Sequence, residues 1–313
     1  MHFTIVIPTF DRMDVLPEVL AAVEAQTQAP PFDLVVVDDG SRDGTADFLA
    51  GRSFAVPTRV VRQPNRGPAA ARNHGVALAS GDRVAFLGDD TVPDPGWLAA
   101  HARAHETRGG GEELAVIGYT RWHPRVRVNP FLDYINEFGL QFGYALIIEP
   151  ENVPFNFFYT SNLSLSRARL VSEPFDETFP YAAWEDIELA YRLSRSATGL
   201  RLVYEKAALV AHDHPTRFER FCSRQEKAGY SAVVFHRLHP ELGGFLGIGP
   251  DGPPGLPPAG RQKLRETLAR ALQNVPIRTP RLWEEALRYH YIAGLNRAWR
   301  EKATANPVKG DES

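Results

Sequence analysis

The chain has 313 residues, of which 43% are hydrophobic and 23% charged, and a net charge of −3. These are the proportions of a folded protein with one large core or two modest ones, and they exclude the clustered positive charge of a nucleic-acid-binding footprint. The single cysteine, Cys222, excludes an internal disulfide; it is expected to be inert packing in a reducing compartment. No apolar run approaches the ~20 residues of a membrane span. Residues 1–8 lack the basic start and long apolar stretch of a signal peptide, so a cytoplasmic location is expected.

Residues 3–7 are an apolar run stopped by Pro8, the expected first strand. Asp14 is the expected cap of a helix reaching Gln26, with Pro17 in its first turn. A second strand over 34–37 leads through Gly40-Ser41-Arg42-Asp43-Gly44 into a short helix over 46–50. A third strand over 59–62 precedes an Ala-rich helix over 68–79, closed by Ser80-Gly81. The fourth strand covers 84–87, and Asp94-Pro95 starts a helix over 96–107. Continuous apolar strands separated by helices predict an α/β fold with a mostly parallel sheet covered on both faces.

A strand is expected over 113–119, a helix over 131–142 and extended chain over 157–165. Residues 185–196 read as a helix with Ile187, Ala190 and Tyr191 on one face. Short strands follow over 202–204 and 208–210, then a long helix over 217–238 carrying Arg217, Arg220, Arg224, Lys227 and Arg237. Residues 243–260 are a Gly- and Pro-rich loop, and amphipathic helices over 262–273 and 282–300 complete a C-terminal helical region.

Two acid pairs carry the chemistry. Asp38-Asp39 ends the second strand and Asp89-Asp90 the fourth. In a parallel sheet both lie at the edge where ligands bind. Acids gathered there repel a diphosphate unless a divalent cation intervenes, and they can also read nucleoside hydroxyls. Singly, each feature has a plainer reading. Asp38-Asp39-Gly40 suits a turn, Glu185-Asp186 suits a helix N-terminus, His212 and His214 suit a surface pair, and the basic 217–238 helix suits a solvated face. Their order along the chain argues for a single site.

Six segments in this order resemble the inverting family 2 glycosyltransferases of the GT-A fold, over roughly residues 3–240. They are Ile7-Pro8-Thr9-Phe10-Asp11-Arg12, Val37-Asp38-Asp39-Gly40-Ser41, Asn65-Arg66-Gly67-Pro68-Ala69-Ala70-Ala71-Arg72-Asn73, Phe86-Leu87-Gly88-Asp89-Asp90, Trp184-Glu185-Asp186-Ile187-Glu188-Leu189 and His212-Asp213-His214-Pro215. The resemblance implies residues 1–110 as a nucleotide-sugar-binding half, 111–215 as the acceptor and catalytic half of the same domain, and 216–313 as a helical extension. By the same resemblance Pro8, Thr9, Phe10, Asp11, Arg12, Gly67 and Arg72 line the nucleotide site, and Asp39 accepts from the base N–H. Asp90 takes the place of the metal-binding acid, and Asp89 touches ribose or metal. Gly88 departs from the pattern, since many members carry an acid there. His212 or His214 completes the shell of Mn²⁺ or Mg²⁺; a nitrogen ligand tilts the choice toward Mn²⁺. Asp186, paired with Glu185, is the implied catalytic base, and Asn162 and Trp184 are the expected acceptor or sugar contacts.

The expected reaction moves a sugar from a nucleoside diphosphate, UDP in the first instance, to a hydroxyl of a glycan, lipid-linked or small-molecule acceptor. The basic 217–238 helix adds an expected peripheral contact with an anionic membrane at its inner face, and the C-terminal helices an acceptor side or homodimer interface. The rivals are a nucleotidyltransferase, disfavoured because no glycine follows the first strand, and a non-catalytic sugar-nucleotide-binding protein.

Overall fold

A computed structural model describes residues 1–214, 216–275 and 280–301. Pro215, which ends the last motif and the expected second region, lies outside the described residues. In chain order the elements begin with β1 (Phe3–Thr9), α1 (Leu16–Glu24), β2 (Phe32–Asp38), α2 (Thr45–Gly51), β3 (Thr58–Arg62) and α3 (Pro68–Leu78). There follow β4 (Arg83–Leu87), β5 (Thr91–Pro93), α4 (Trp97–Thr107), β6 (Leu114–Trp122), α5 (Pro130–Glu137), β7 (Asn162–Ser166), α6 (Arg167–Ser172) and α7 (Glu185–Arg195). The last are β8 (Arg201–His212), α8 (Phe218–Leu238), α9 (Ala259–Ala271) and α10 (Arg281–Arg300). The chain divides into two units. The first comprises Met1–Val126, Phe138–Glu177 and Asp186–His214; the second comprises Arg127–Glu137, Thr178–Glu185 and the described part of Pro215–Ser313.

The first unit holds one eight-stranded sheet in the order β3-β2-β1-β4-β7-β6-β8-β5. The four N-terminal strands run parallel, as do β6 and β8, while β7 and β5 pair antiparallel to their neighbours. Both faces are covered, which explains the unbroken apolar strands. Val6, Val35, Val37, Val84 and Phe86 face a core with Ala69, Ala71 and Val76 of α3 and Leu189, Ala190 and Leu193 of α7. Ile5, Ile7, Leu34, Val36, Ala85 and Leu87 face the other, with Val19 and Leu20 of α1 and Trp97 and Leu98 of α4.

Several expectations require correction. Asp14 caps nothing: α1 starts at Leu16 with Val15 in the cap position and no side-chain cap bond. Gln26 instead accepts from the Leu98 N–H at 2.9 Å, so the end of α1 caps the start of α4. The helix expected over 131–142 stops at Glu137; Gly139 (φ 119°) and Leu140 (φ 74°) follow in conformations that cannot continue it. The two short strands near 202–210 are one strand, β8, and the interruption is a bulge where the register jumps between Gly118 and Tyr119 of β6. On α7 the buried row is Glu188, Leu189, Ala190 and Leu193, whereas Ile187 and Tyr191 are half-buried. Glu188 tolerates this because Arg192, one turn on, binds both its oxygens at 2.8 and 3.0 Å.

In the second unit α8 packs along α10 at two glycines. A Cβ on Gly229 would lie 1.9 Å from the Tyr291 carbonyl, and one on Gly294 1.9 Å from that of Glu226. Phe131 of α5 makes edge contacts with Phe218 and Phe221 of α8 and Trp283 of α10. Cys222 is buried there, and burial pushes its thiol up to about 12. Of the α8 cations, Arg224 lies over Phe221, Lys227 over Tyr181, and Arg237 donates to the Ala298 carbonyl. Among the described residues no helix is long and apolar enough to cross a membrane.

Candidate active site

The loops after β1, β2, β3 and β4 meet at one sheet edge, where short hydrogen bonds fix them to each other. The Thr9 carbonyl accepts from Asp39 N–H at 2.8 Å. Asp11, at φ 50°, takes the Arg42 N–H on its carboxylate (2.6 Å), while its own N–H donates to Ser41 Oγ (2.9 Å). The two acids of the first pair do different work. Asp38 accepts the Ser41 N–H at 2.8 Å and faces Arg62 at 3.2 Å, the turn chemistry of the plainer reading. Asp39 receives Gln63 Nε2 (2.8 Å), Arg66 N–H (2.9 Å) and Gly67 N–H (2.7 Å), so it anchors the loop before α3. Gly67 (φ 87°) supplies the backbone turn that starts α3 at Pro68. Arg72, one turn into α3, lies over the ring of Phe175.

The second pair also divides. Asp89 accepts the Phe10 N–H at 3.2 Å and faces Arg12 at 3.4 Å. Burial, reinforced by the neighbouring charge of Asp90, pushes its carboxyl up to about 6. Burial also opposes ionisation of Asp90. There, however, His212, hydrogen bonds from His212 and His214, and the charge of Arg12 outweigh it and hold the carboxyl well below the usual range. Asp90 Oδ2 is 3.3 Å from His212 Nε2, 3.4 Å from His214 Nδ1 and 3.7 Å from Arg12 Nη2. Strand pairing explains the convergence: β5 sets Thr91 against His212 of β8, and the Asp213 N–H donates to the Asp90 carbonyl at 2.8 Å.

Ligand atoms of Asp90, His212 and His214 all lie within 4.8 Å of one another. One carboxylate oxygen and two imidazole nitrogens suit a first-row divalent ion such as Mn²⁺ better than Mg²⁺. Asp89 is outside this cluster. Gly88 is closely surrounded: a Cβ there would meet Thr91 Oγ1 at 3.1 Å and Asp90 Oδ1 at 3.2 Å.

Asp186 opens the first-unit part of α7. Its Oδ2 lies 3.4 Å from both the N–H and the hydroxyl of Thr160, and the next residue, Ser161, accepts the Gly88 N–H at 3.1 Å. The carboxylate thus stands one backbone link from the Gly88-Asp89-Asp90 turn. Its charge adds to burial in raising the Tyr159 phenol, which donates to the Phe142 carbonyl. Glu185 is buried at 3% exposure, whereas Asp186 is partly open.

Asn162 is a correction. It is 0% exposed: its oxygen accepts from Trp97 Nε1 (2.7 Å) and lies 3.0 Å from His101 Nε2, and its amide donates to the Ala208 (2.9 Å) and Tyr119 (3.2 Å) carbonyls. It bridges the β6–β8 bulge and meets no solvent. Trp184, at φ 75°, donates to the Ala228 carbonyl and packs against Phe235 and Phe245 within the second unit. Two residues at the histidine cluster had no signal in the sequence. Trp122 stacks on His212 (5.5 Å, 20°), and Gln141 reaches its Nδ1 at 3.2 Å. Neither belongs to a spacing that marks it.

The family model described as Glycosyl transferase family 2 matches residues 4–146. The chain is 30% identical over 269 residues to the validoxylamine A glucosyltransferase of Streptomyces hygroscopicus subsp. limoneus, covering 76% of this chain and 57% of that protein. It spans 25% to 61% of the length of such curated relatives. Among solved structures, the mannosyltransferase PcManGT from Pyrobaculum calidifontis, in complex with GDP-Man and Mn²⁺, superposes with a TM-score of 0.62 at 17% identity, covering 96% of this chain and 87% of that one. S. aureus TarS 1–349 in complex with UDP gives 0.53 at 16% identity, covering 98% and 93%. At these identities the likeness establishes the GT-A fold alone.

Proposed function

Because the chain belongs, through residues 4–146, to glycosyl transferase family 2, we propose that it transfers a sugar, with inversion, from a nucleoside diphosphate to an acceptor hydroxyl. The observation that carries this reading is the convergence of Asp90, His212 and His214 on one point, next to a turn whose neighbour Thr160 touches a separate carboxylate, Asp186. Asp90, His212 and His214 would hold the cation, which when bound neutralises charge on the leaving diphosphate. Mn²⁺ is the favoured ion, in line with the Mn²⁺ carried by PcManGT, and UDP the favoured nucleotide, in line with the UDP bound to TarS.

The protein's own groups do the rest. Asp39 shapes the nucleotide pocket by fixing the loop over 63–67, with Thr9, Phe10, Asp11 and Arg72 on its walls. Arg12, already beside both acids of the second pair, lends its charge to the diphosphate side. Asp186 accepts the acceptor's hydroxyl proton as that oxygen bonds to the anomeric carbon. The bond from this carbon to the diphosphate oxygen breaks on the opposite face, through an oxocarbenium-like transition state. The half-open exposure of Asp186 suits this role better than the buried Glu185.

The test separates binding from chemistry. Asp186→Asn should retain UDP and Mn²⁺ affinity by calorimetry while sugar release from UDP-sugars falls by about 10²–10⁴-fold, the usual worth of a positioned base. Unchanged turnover would remove Asp186 from the reaction. Release of pyrophosphate from a nucleoside triphosphate and a sugar phosphate would instead favour a nucleotidyltransferase.

A further inference from the structure

We propose that Gln141 is a positioning residue that supports either tautomer of His212 by turning its amide, and that its acceptor oxygen thereby sets the affinity of the cation site; the inference rests on the reading of Asp90, His212 and His214 as that site. His212 is 7% exposed, and its ring is clamped in plane. Trp122 stacks on it at 5.5 Å and 20°, His214 stacks at 5.6 Å and 8°, and Phe142 meets it edge-on at 6.1 Å. A ring so confined cannot turn to choose which nitrogen it presents. Nε2 faces Asp90 at 3.3 Å. Whether Nε2 carries a proton or a lone pair is therefore decided at the far nitrogen, Nδ1.

Among the described residues the polar side-chain group recorded at Nδ1 is the amide of Gln141, at 3.2 Å. With Gln141 Nε2 donating to Nδ1, the imidazole proton sits on Nε2, where it donates to Asp90. In that arrangement the buried Gln141 Oε1 has no hydrogen-bond partner among the described residues. A half-turn of the amide exchanges the two atoms at almost no change in shape. Oε1 then accepts from Nδ1–H, and Nε2 presents a lone pair toward the cation. The group that bonds to the far nitrogen of a metal-bound histidine fixes its tautomer and raises its basicity. Glutamine alone among the natural side chains of this length serves both states. It supports the Nε2–H···Asp90 contact when no cation is present and the ligating tautomer when one arrives.

The test uses the full chain with two substitutions and two probes. Gln141→Glu keeps only the acceptor and should bind Mn²⁺, titrated by electron paramagnetic resonance, as well as the wild type or better. Gln141→Leu keeps an apolar branched side chain, one carbon shorter and without the acceptor, and should weaken Mn²⁺ by about 10- to 100-fold, with the urea midpoint reported alongside. In the wild-type protein, ¹⁵N shifts of His212 should move from the Nε2–H to the Nδ1–H pattern on adding Zn²⁺, a diamagnetic ion that seeks imidazole; this readout does not depend on either variant folding. Equal Mn²⁺ affinity in Gln141→Leu and wild type, equal weakening in both variants, or an unchanged His212 tautomer with Zn²⁺ bound would each overturn the inference. A wild-type protein that binds neither Mn²⁺ nor Zn²⁺ would instead overturn the cation site itself.

Discussion

At the scale of single residues, buried polar side chains that never reach the site hold the fold that carries it. Asn162 ties Trp97, the β6–β8 bulge and His101 together in the interior. Asn162→Leu removes the acceptor of the Trp97 indole N–H and the amide that donates to the Ala208 and Tyr119 carbonyls, and should cost about 3 kcal/mol in urea unfolding. UDP affinity of the folded fraction should be unchanged; a sugar-contact role would give the reverse pattern. His101 and His105 share the hydroxyl of Ser164 at 2.9 Å each. Burial lowers them to about 4 and about 3. Both folded values lie below the ordinary ~6.5, so on acidification the unfolded chain takes up protons first. Their contribution is full above pH 6.5 and is lost as the pH falls toward 4. The urea stability should therefore drop across this window with a slope approaching two protons, and His105→Gln should flatten it by about 1.4 kcal/mol per pH unit. Gly88, by contrast, acts at the site itself. Given the 3.1–3.2 Å approaches that a Cβ there would make, Gly88→Asp should crowd Asp90 and weaken Mn²⁺ about tenfold. Tighter Mn²⁺ binding by this variant would mean that the site is short of a ligand.

At the scale of elements, strand ends deliver the chemistry and helices supply the spacing. The pairing of β5 with β8 sets His212 and His214 against Asp90, and the pairing of β4 with β7 carries Thr160 and Ser161 to the same turn. In the second unit the α8–α10 pair relies on absent side chains. Gly294→Ala puts a methyl 1.9 Å from the Glu226 carbonyl, and should destabilise that unit by about 3 kcal/mol. Calorimetry should resolve this as an earlier transition for the helical unit. An unchanged thermogram would mean that the helices part at no cost.

At the scale of the molecule, what was legible followed from pattern strength. The β1–β4 half is readable because β1, β2 and β4 are built on apolar runs and each loop carries Pro, Gly or Asp. The acids at its edge were found for the same reason. The 111–215 stretch was harder. The antiparallel β7 carries the buried polar residues Asn162, Ser164 and Ser166; long-range hydrogen bonds satisfy Asn162 and Ser164, and local sequence cannot distinguish such an asparagine from a sugar contact. β8 reads as two strands because Glu205 and Lys206 interrupt its apolar pattern at the bulge. Gln141 and Trp122 act only through tertiary contact with His212 and leave no local periodicity.

The claim on which the rest depends is that a cation held by Asp90, His212 and His214 carries the diphosphate of the donor. Calorimetric titration of UDP, with GDP, dTDP and CDP in parallel, into wild type and Asp90→Asn, each in Mn²⁺ and in chelator, tests it most directly. At least one nucleotide should bind the wild type at least about tenfold more tightly with Mn²⁺ than with chelator, and Asp90→Asn should lose that gain. Equal affinity in Mn²⁺ and chelator for every nucleotide, or a Mn²⁺ gain that survives in Asp90→Asn, would contradict it.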